Sequence, residues 1–185
     1  FIRKYNYNNN VIASTDVINN CINHNCKLVF TSSMAVYGSQ KTPFTENMVP
    51  KPIDPYGIAK YCVEMDINQA FKQFGMRYTI IRPHNVLGVY QNIWDKYRNV
   101  IGIFIRKAIK KEPLLVYGDG NQTRAFSDIK YYMNPFLSVL EGHDNQVFNI
   151  GADKYFTINH VANLVKNIAS DFNIDVTIRH EEPRH

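Results

Sequence analysis

Hydrophobic and polar residues follow two different patterns along this chain. Short apolar runs such as Leu28-Val29-Phe30 are typical of buried strands, while longer stretches place an apolar residue at every third or fourth position, as an amphipathic helix does. Because strands and helices alternate, the pattern predicts an α/β fold with a doubly wound parallel sheet. The runs predict strands at 27–32, 77–82, 114–117, 125–130, 147–151 and 176–179. The periodic stretches predict helices at 11–24, 55–74, 99–111, 131–141 and 157–169, with residues 1–10 as a loop or the start of the first helix.

Polar side chains that can carry chemistry lie around the first predicted strand and the long helix after it. The strand ends in Thr31-Ser32-Ser33, and ligands of a parallel sheet bind beyond the carboxyl ends of its strands. Tyr56 and Lys60 are four residues apart, so they lie one turn apart on one face of the predicted helix. A tyrosine hydroxyl ordinarily ionises near pH ~10, and a neighbouring ammonium group lowers that pKa. The side chains of Ser33, Tyr56 and Lys60 are therefore suited to moving a proton on or off a substrate hydroxyl.

Composition narrows the classes of function. The 185 residues carry 21 Lys and Arg against 16 Asp and Glu, so the formal net charge is +5. This modest charge suits an anionic small molecule. The sequence has no dense run of basic residues mixed with aromatic ones, which is the pattern that would predict nucleic-acid binding. No apolar run approaches the length of a membrane span, and the three cysteines form no C-x-x-C motif. We expect an enzyme of a reducing, cytoplasmic compartment with no nucleic-acid or membrane partner.

Three motifs in combination resemble one family. They are Thr31-Ser32-Ser33-Met34-Ala35-Val36-Tyr37-Gly38, Asp54-Pro55-Tyr56-Gly57-Ile58-Ala59-Lys60 and Gly118-Asp119-Gly120-Asn121-Gln122-Thr123-Arg124. Together they resemble the extended branch of the short-chain dehydrogenase/reductase superfamily, the NAD-dependent nucleotide-sugar epimerases and dehydratases. The chain looks similar to the UDP-glucose 4-epimerases in particular. The turn at 83–88 also resembles the family's Arg-Pro-x-Asn-Val-Tyr-Gly turn, with Leu87 in place of the usual Tyr.

The resemblance implies roles for individual residues. In the implied catalytic triad Tyr56 removes a proton from a sugar hydroxyl, Lys60 lowers the tyrosine pKa and binds the cofactor ribose, and Ser33 donates a hydrogen bond to the substrate oxygen. The implied cofactor is NAD, and the implied substrate is a nucleotide-diphosphate sugar. The implied cofactor contacts are Asn10, Thr31, Tyr56, Lys60, Pro83 and His84. The implied substrate contacts are Ser33, Asn85, Arg124 and Arg184.

Several of these residues have a second interpretation from sequence alone. Asn10 can cap the helix that follows it, His84 can be an ordinary loop histidine, and Arg124 can form a surface ion pair. His180, Glu181, Glu182 and His185 lie close together near the end of the chain. Their spacing matches no metal-site signature, so we expect no metal there and an exposed tail instead.

The resemblance also implies a domain organisation. Residues 1–95 correspond to the second half of an NAD-binding, Rossmann-like domain, and residues 96–185 mainly to a small mixed α/β substrate domain, with some strands returning to the sheet. The sequence contains no Gly-x-x-Gly-x-x-Gly stretch after a strand, which brings the backbone close to the pyrophosphate in such folds. We therefore expect an N-terminally truncated member. The helices at 11–24 and 55–74 correspond to a four-helix dimer interface, which implies a homodimer.

The predicted reaction is the transient oxidation of a sugar hydroxyl, at C4 of a UDP-hexose, followed by reduction from the other face. Related dehydratases carry Asp-Glu where this chain has Met34 and Ala35, which exchange no protons. This difference favours an epimerase over a 4,6-dehydratase and disfavours a sugar decarboxylase for the same reason. The 4,6-dehydratase remains one alternative. The other is a non-catalytic, truncated relic or scaffold that binds no NAD.

Overall fold

The computed structural model describes residues 2–94 and 99–183, which fold into two compact units. The first unit comprises Phe1–His84 and Lys130–Gly151, and the second comprises Asn85–Ile129 and Ala152–His185. The units interleave along the sequence, whereas the prediction divided the chain at residue 95 and had some later strands return to the sheet. The reason is that the strand completing the parallel sheet comes after the second unit has begun. Among the described residues, no helix combines the length and the apolar composition that crossing a membrane demands.

The elements follow one another in an irregular alternation of helix and strand. The helical elements are α1 (Ile2–Asn6), a π-helical segment (Tyr7–Ile12), α2 (Ala13–Asn23), a 3-10 turn (Met34–Tyr37), α3 (Pro55–Phe74), α4 (Val100–Ile109), a second 3-10 turn (Ile129–Tyr132), α5 (Met133–Glu141) and α6 (Ile158–Asp171). The strands are β1 (Leu28–Thr31), β2 (Tyr78–Pro83), β3 (Val86–Leu87), β4 (Leu114–Tyr117), β5 (Thr123–Ala125), β6 (Ser127–Asp128), β7 (Gln146–Ile150), β8 (Tyr155–Thr157) and β9 (Ile178–Glu181).

The first unit is built on a parallel sheet in the order β1-β2-β7, as the apolar runs predicted. Phe30 pairs with Ile80, and Ile80 pairs in turn with Val147. The strand between the other two, β2, is buried along most of its length. This is expected of a parallel strand that is covered on both faces. Buried side chains of α2 and α3, among them Ile18 and Ile67, pack with this sheet into one core. The carboxyl ends of the three strands therefore share one edge, where the candidate chemistry lies.

The amino-terminal segment is helical from Ile2, so of the two structures predicted for residues 1–10, a loop or the start of the first helix, the described residues adopt the helix. Asparagine is a poor helix former because its side chain competes for backbone hydrogen bonds. Here the amides of Asn9 and Asn10 donate to carbonyls one turn earlier, at 2.8 and 3.0 Å, within the helix itself. Packing of this segment along α3 adds a tertiary contact that local propensity does not include.

The second unit contains three two-stranded ladders: β3-β6 and β4-β9 are parallel, and β5-β8 is antiparallel. Its core joins Phe104 of α4, Leu114 and Val116 of β4, and Val161 and Val165 of α6. The predicted strand at 125–130 is corrected to β5, β6 and a 3-10 turn, and β8 was not predicted because it spans only three residues. The predicted tail is also corrected. The last strand lies at 178–181, and its backbone pairs with β4 while the side chains of His180 and Glu181 stay exposed.

Candidate active site

Ser33 lies two residues after the end of β1, at the carboxyl edge of the parallel sheet. Its backbone is extended, and its side-chain oxygen accepts a hydrogen bond from the Ala35 N–H at 3.1 Å, which caps the first 3-10 turn. A hydroxyl that accepts at one lone pair keeps its own proton available to donate elsewhere. Ser33 therefore satisfies a backbone N–H and still has a hydroxyl proton available for chemistry.

The start of α3 is fixed against the same 3-10 turn. The Asp54 carboxylate accepts from the Tyr56 N–H at 2.9 Å and from the Gly57 N–H at 2.8 Å, so it caps the helix as an N-cap residue does. A Cβ at position 57 would lie 2.6 Å from the Ala35 carbonyl oxygen, which only glycine permits. This close approach brings the first turn of α3, and with it Tyr56, beside Ser33.

Ser33 lies near enough to Tyr56 to lower the pKa of the Tyr56 hydroxyl by hydrogen bonding, and Lys60 lies one turn further along α3. The Lys60 ammonium donates to the Thr31 carbonyl at 3.0 Å and lies 5.8 Å from the centre of the Tyr56 ring. It also lies 4.9 Å from the centre of the Phe30 ring. The structure therefore brings together the three predicted catalytic residues at one edge of the sheet.

The pKa of Tyr56 is raised, in contrast to the lowering expected from sequence. Although Tyr56 keeps 40% of its surface exposed, desolvation is the main cause, the Ser33 hydrogen bond lowers the pKa in part, and the Asp54 charge raises it. Burial also lowers the pKa of Lys60. The expectation overlooked that the ammonium is held by a backbone carbonyl and that both groups lose hydration.

The predicted cofactor residues of the first unit have different surroundings. Thr31 is exposed at the end of β1, and half-buried Pro83 and His84 follow from the end of β2. The His84 N–H donates to the Ile150 carbonyl at 3.1 Å, which holds this turn against β7. Asn10 lies inside the continuous first helix, so the interpretation of Asn10 as a helix cap is wrong. A lysine, hydroxyls and an ordered turn at a sheet edge fit the ribose and ring of a dinucleotide.

The second unit contains a polar cavity of about 670 Å³ that includes the predicted residues Asn85 and Arg124. This volume lies in the range of pockets for small-molecule ligands. The Asn85 amide donates to the Ala125 carbonyl at 3.0 Å, and Arg124 is exposed and donates to the Thr123 carbonyl at 2.8 Å. Arg184 lies outside the described residues.

Sequence reasoning missed several residues of this cavity, including Asn99, Tyr117, Asp119 and Gln122. Asn99 caps α4 by accepting from the Gly102 N–H at 3.0 Å, so the N-terminus of a ten-residue helix opens on the cavity. Asp119 accepts from the backbone and side chain of Asn121, and these hydrogen bonds lower its pKa. The Asn before the apolar stripe of α4 was the available signal, because Asn is a favoured N-cap.

A Ser-Tyr-Lys set at the carboxyl edge of a parallel sheet is typical of the class of short-chain dehydrogenases/reductases. The profile of the "NAD dependent epimerase/dehydratase family" matches residues 2–151. The chain belongs to this family, whose cofactor is NAD. This confirms both the family resemblance and the fold class inferred from the motifs.

Individual relatives support the assignment. A putative UDP-glucose 4-epimerase of Methanocaldococcus jannaschii is 36% identical over 143 residues, covering 76% of this chain and 46% of the relative. A UDP-N-acetyl-alpha-D-glucosaminuronate decarboxylase of Bacillus cytotoxicus is 32% identical, covering 74% of this chain and 44% of the relative. This chain therefore spans about half the length of the curated relatives it matches.

Solved structures show the same relationship. The UDP-glucose 4-epimerase of Thermotoga maritima with UDP-glucose aligns with a TM-score of 0.85 and 32% identity, covering 95% of this chain and 57% of that one. The UDP-N-acetylglucosamine 4-epimerase of Methanobrevibacter ruminantium, in complex with UDP-N-acetylmuramic acid, aligns with a TM-score of 0.86 and 30% identity, covering 96% and 57%.

Proposed function

We propose that this chain supplies the catalytic and sugar-nucleotide-binding part of an NAD-dependent 4-epimerase that acts on a UDP-hexose. The observation that carries the proposal is the placement of Ser33 at the carboxyl edge of the sheet, where the close approach of Gly57 to the Ala35 carbonyl brings Tyr56 beside it, with Lys60 one turn away and held at the Thr31 carbonyl. The similarity to 4-epimerases with UDP-sugar ligands supports the substrate class. The test is conversion of UDP-glucose to UDP-galactose by the chain supplied with NAD. A chain that retains no NAD and converts no sugar would favour the non-catalytic alternative.

The proposed roles follow from the local geometry. Tyr56 takes the proton of the sugar hydroxyl, and Ser33 donates a hydrogen bond to the same oxygen while its own oxygen is held by the Ala35 N–H. Lys60 is held at the Thr31 carbonyl. When the Lys60 ammonium turns toward the Tyr56 hydroxyl, its positive charge favours the phenolate form of Tyr56. NAD, when bound, supplies the acceptor and later donor of the hydride.

The residues that hold NAD in this proposal are those of the first unit that fit its ribose and nicotinamide end. They are Asn10, Thr31, Tyr56, Lys60, Pro83 and His84, while a glycine-rich pyrophosphate loop is absent from the sequence. The retention of NAD by this chain, measured by release on denaturation, is therefore the first step of the assay. Cofactor found after denaturation supports these contacts.

The proposed reaction is an epimerisation because Met34 and Ala35 follow Ser33 on the 3-10 turn. Neither side chain exchanges protons, so the extra acid-base steps of a 4,6-dehydratase have no carrier at these positions. A decarboxylase is the competing activity, since such an enzyme is among the relatives. Analysis of the sugar product separates the three reactions, because only epimerisation keeps the mass of the substrate.

We expect Arg124→Ala to weaken the binding of UDP by about 10- to 100-fold, since a guanidinium bound to a phosphate forms charge-assisted hydrogen bonds. Isothermal titration of the chain with UDP measures this change. Arg179→Ala is the matched control, because Arg179 is also exposed in the second unit but does not line the cavity. Equal losses in the two variants would show general electrostatic attraction and contradict a role for Arg124 in the cavity.

The proposed assembly is a homodimer formed by the helix at 11–24, which includes α2, and by α3. Apolar side chains on these helices remain exposed: Val17 at 47%, Met65 at 48% and Phe74 at 63%. We expect Met65→Glu to convert the dimer to a monomer in sedimentation velocity, since burying a charge at the interface is unfavourable. Gln146→Glu adds the same charge at an exposed site elsewhere in the unit and should leave the dimer intact. A monomeric wild-type chain would contradict the proposed assembly.

A further inference from the structure

A buried ion pair lies within the first unit, close in sequence to the candidate catalytic residues. Glu64 of α3 and Arg82 of β2 have side chains only 2% and 5% exposed. The guanidinium donates two hydrogen bonds to the carboxylate: Nη2 lies 2.6 Å from Oε2, and Nε lies 3.0 Å from Oε1. Neither residue is among the site residues predicted from the sequence.

Glu64 connects the helix of Tyr56 and Lys60 to the strand end that carries Ser33. It lies four residues after Lys60, so it continues the same face of α3 by one turn. Its Oε1 also accepts a hydrogen bond from the buried Ser32 hydroxyl at 2.5 Å. Because Ser32 directly precedes Ser33, one carboxylate holds the two elements that the triad requires.

Arg82 extends this network to further elements of the unit. Its Nη1 donates to the Tyr37 hydroxyl at 2.6 Å, at the end of the 3-10 turn that Ser33 caps. The Tyr37 hydroxyl donates in turn to the Asn149 side chain of β7 at 2.9 Å. Arg82 also directly precedes Pro83 and His84. The guanidinium therefore binds Glu64 through two nitrogens and Tyr37 through the third, so it connects α3 to the 3-10 turn beside the site.

Stability alone is a weak reason for such a pair. Desolvation of two charges offsets much of their attraction, and well-packed apolar residues often replace a buried ion pair with no loss of stability. Apolar side chains, however, cannot fix the direction of a neighbouring hydroxyl or strand end. The directional bonds to Ser32 and Tyr37 are what an apolar pair would lack.

We propose that Glu64, held by Arg82, is a positioning residue that sets the Ser33 hydroxyl against Tyr56 through its bond to Ser32. The inference rests on the proposed catalytic role of Ser33 and Tyr56. Glu64 acts through Ser32 and needs no contact with the substrate. Loss of the Ser32 bond loosens the end of β1, so Ser33 is held less firmly beside Tyr56.

The test is the ionisation of Tyr56 in the chain as it is. The 12 tyrosines are replaced by 3-fluorotyrosine, a more acidic phenol, so that titration by fluorine NMR stays within the range where the chain is folded. Tyr56→Phe identifies the resonance. Ser33→Ala gives the reference shift, because it removes the hydrogen bond that lowers the pKa of Tyr56.

We expect Ser32→Ala to raise the pKa of Tyr56 by at least about a third of the Ser33→Ala shift, since it weakens the same hydrogen bond. Thr79→Val is the matched control: it removes an equally buried hydroxyl near the start of β2, at the amino-terminal edge of the sheet, where Thr79 donates to the His143 carbonyl at 2.8 Å. This control should leave the pKa of Tyr56 unchanged.

Two outcomes overturn the proposal. One is a Ser32→Ala variant whose Tyr56 titrates as in the wild type, or as in Thr79→Val, while Ser33→Ala shifts it. The other is a Ser33→Ala variant that produces no shift, because Ser33 would then not be the group positioned. The titration requires neither NAD nor turnover, so failure of the proposed epimerase activity does not affect its result.

Discussion

Glu64→Gln should destabilise the first unit by about 3–5 kcal/mol, the usual cost of removing one charge from a buried pair. The substitution keeps the size of the side chain but leaves the Arg82 guanidinium, 5% exposed, without its counter-charge. Urea unfolding followed by circular dichroism measures the total loss. Hydrogen exchange at the amides of α3 and β2 assigns it to the first unit, which is necessary because the single tryptophan, Trp94, belongs to the second unit.

The double variant Glu64→Met/Arg82→Met is the control for this prediction. It removes both charges and replaces them with apolar side chains, so it should recover most of the stability lost in the single variant. Recovery stays incomplete because the buried Ser32 hydroxyl loses its partner, at a cost of about 1–3 kcal/mol. A single variant as stable as the wild type would show that the pair is not desolvated. A double variant as unstable as the single one would show that packing, and not the unpaired charge, causes the loss.

The sequence was sufficient to predict the parallel strands of the first unit and the closeness of Ser33, Tyr56 and Lys60 to one another. Both predictions rest on local signals: continuous apolar runs for β1 and β2, and a four-residue spacing for Tyr56 and Lys60. The roles assigned to the triad remain proposals, but its residues do lie together. Short-range patterns are informative here because strand ends and helix faces are defined within a few residues.

The network around Glu64 could not be predicted in the same way. Glu64 is 32 residues from Ser32 and 18 from Arg82, so no periodicity links them. Burial is also opposite to the ordinary expectation, since Glu and Arg are rarely buried unless paired. The partner that permits burial is a property of the folded sheet and helix.

The direction of the pKa shift of Tyr56 was also beyond local reasoning. A lysine one turn away predicts a lowered pKa, but the ammonium of Lys60 is engaged by the Thr31 carbonyl, and desolvation outweighs the remaining interactions. Spacing on a helix establishes that two side chains can meet. Hydration and competing partners determine which state of each side chain is favoured.

The raised pKa of Tyr56 predicts how the proposed epimerase activity depends on pH. A general base acts in its deprotonated form, so the rate should rise about tenfold per pH unit while the pH is below the pKa of Tyr56. Bound ligands that bring positive charge to the phenol would move this limb to lower pH, but its sign would stay the same. Rates of UDP-glucose epimerisation measured with NAD across the neutral and alkaline range provide the test.

Tyr56→Phe should lower kcat for this reaction by about 10²- to 10⁴-fold and abolish the rising alkaline limb, because phenylalanine carries no proton acceptor. KM should change little, since the hydroxyl contributes mainly in the transition state. Tyr61→Phe is the matched control, as Tyr61 is half-buried on the same helix and lies outside the proposed triad. If Tyr56→Phe kept more than about a tenth of wild-type kcat, or kept the alkaline limb, another group would be the base and Tyr56 would only bind the sugar.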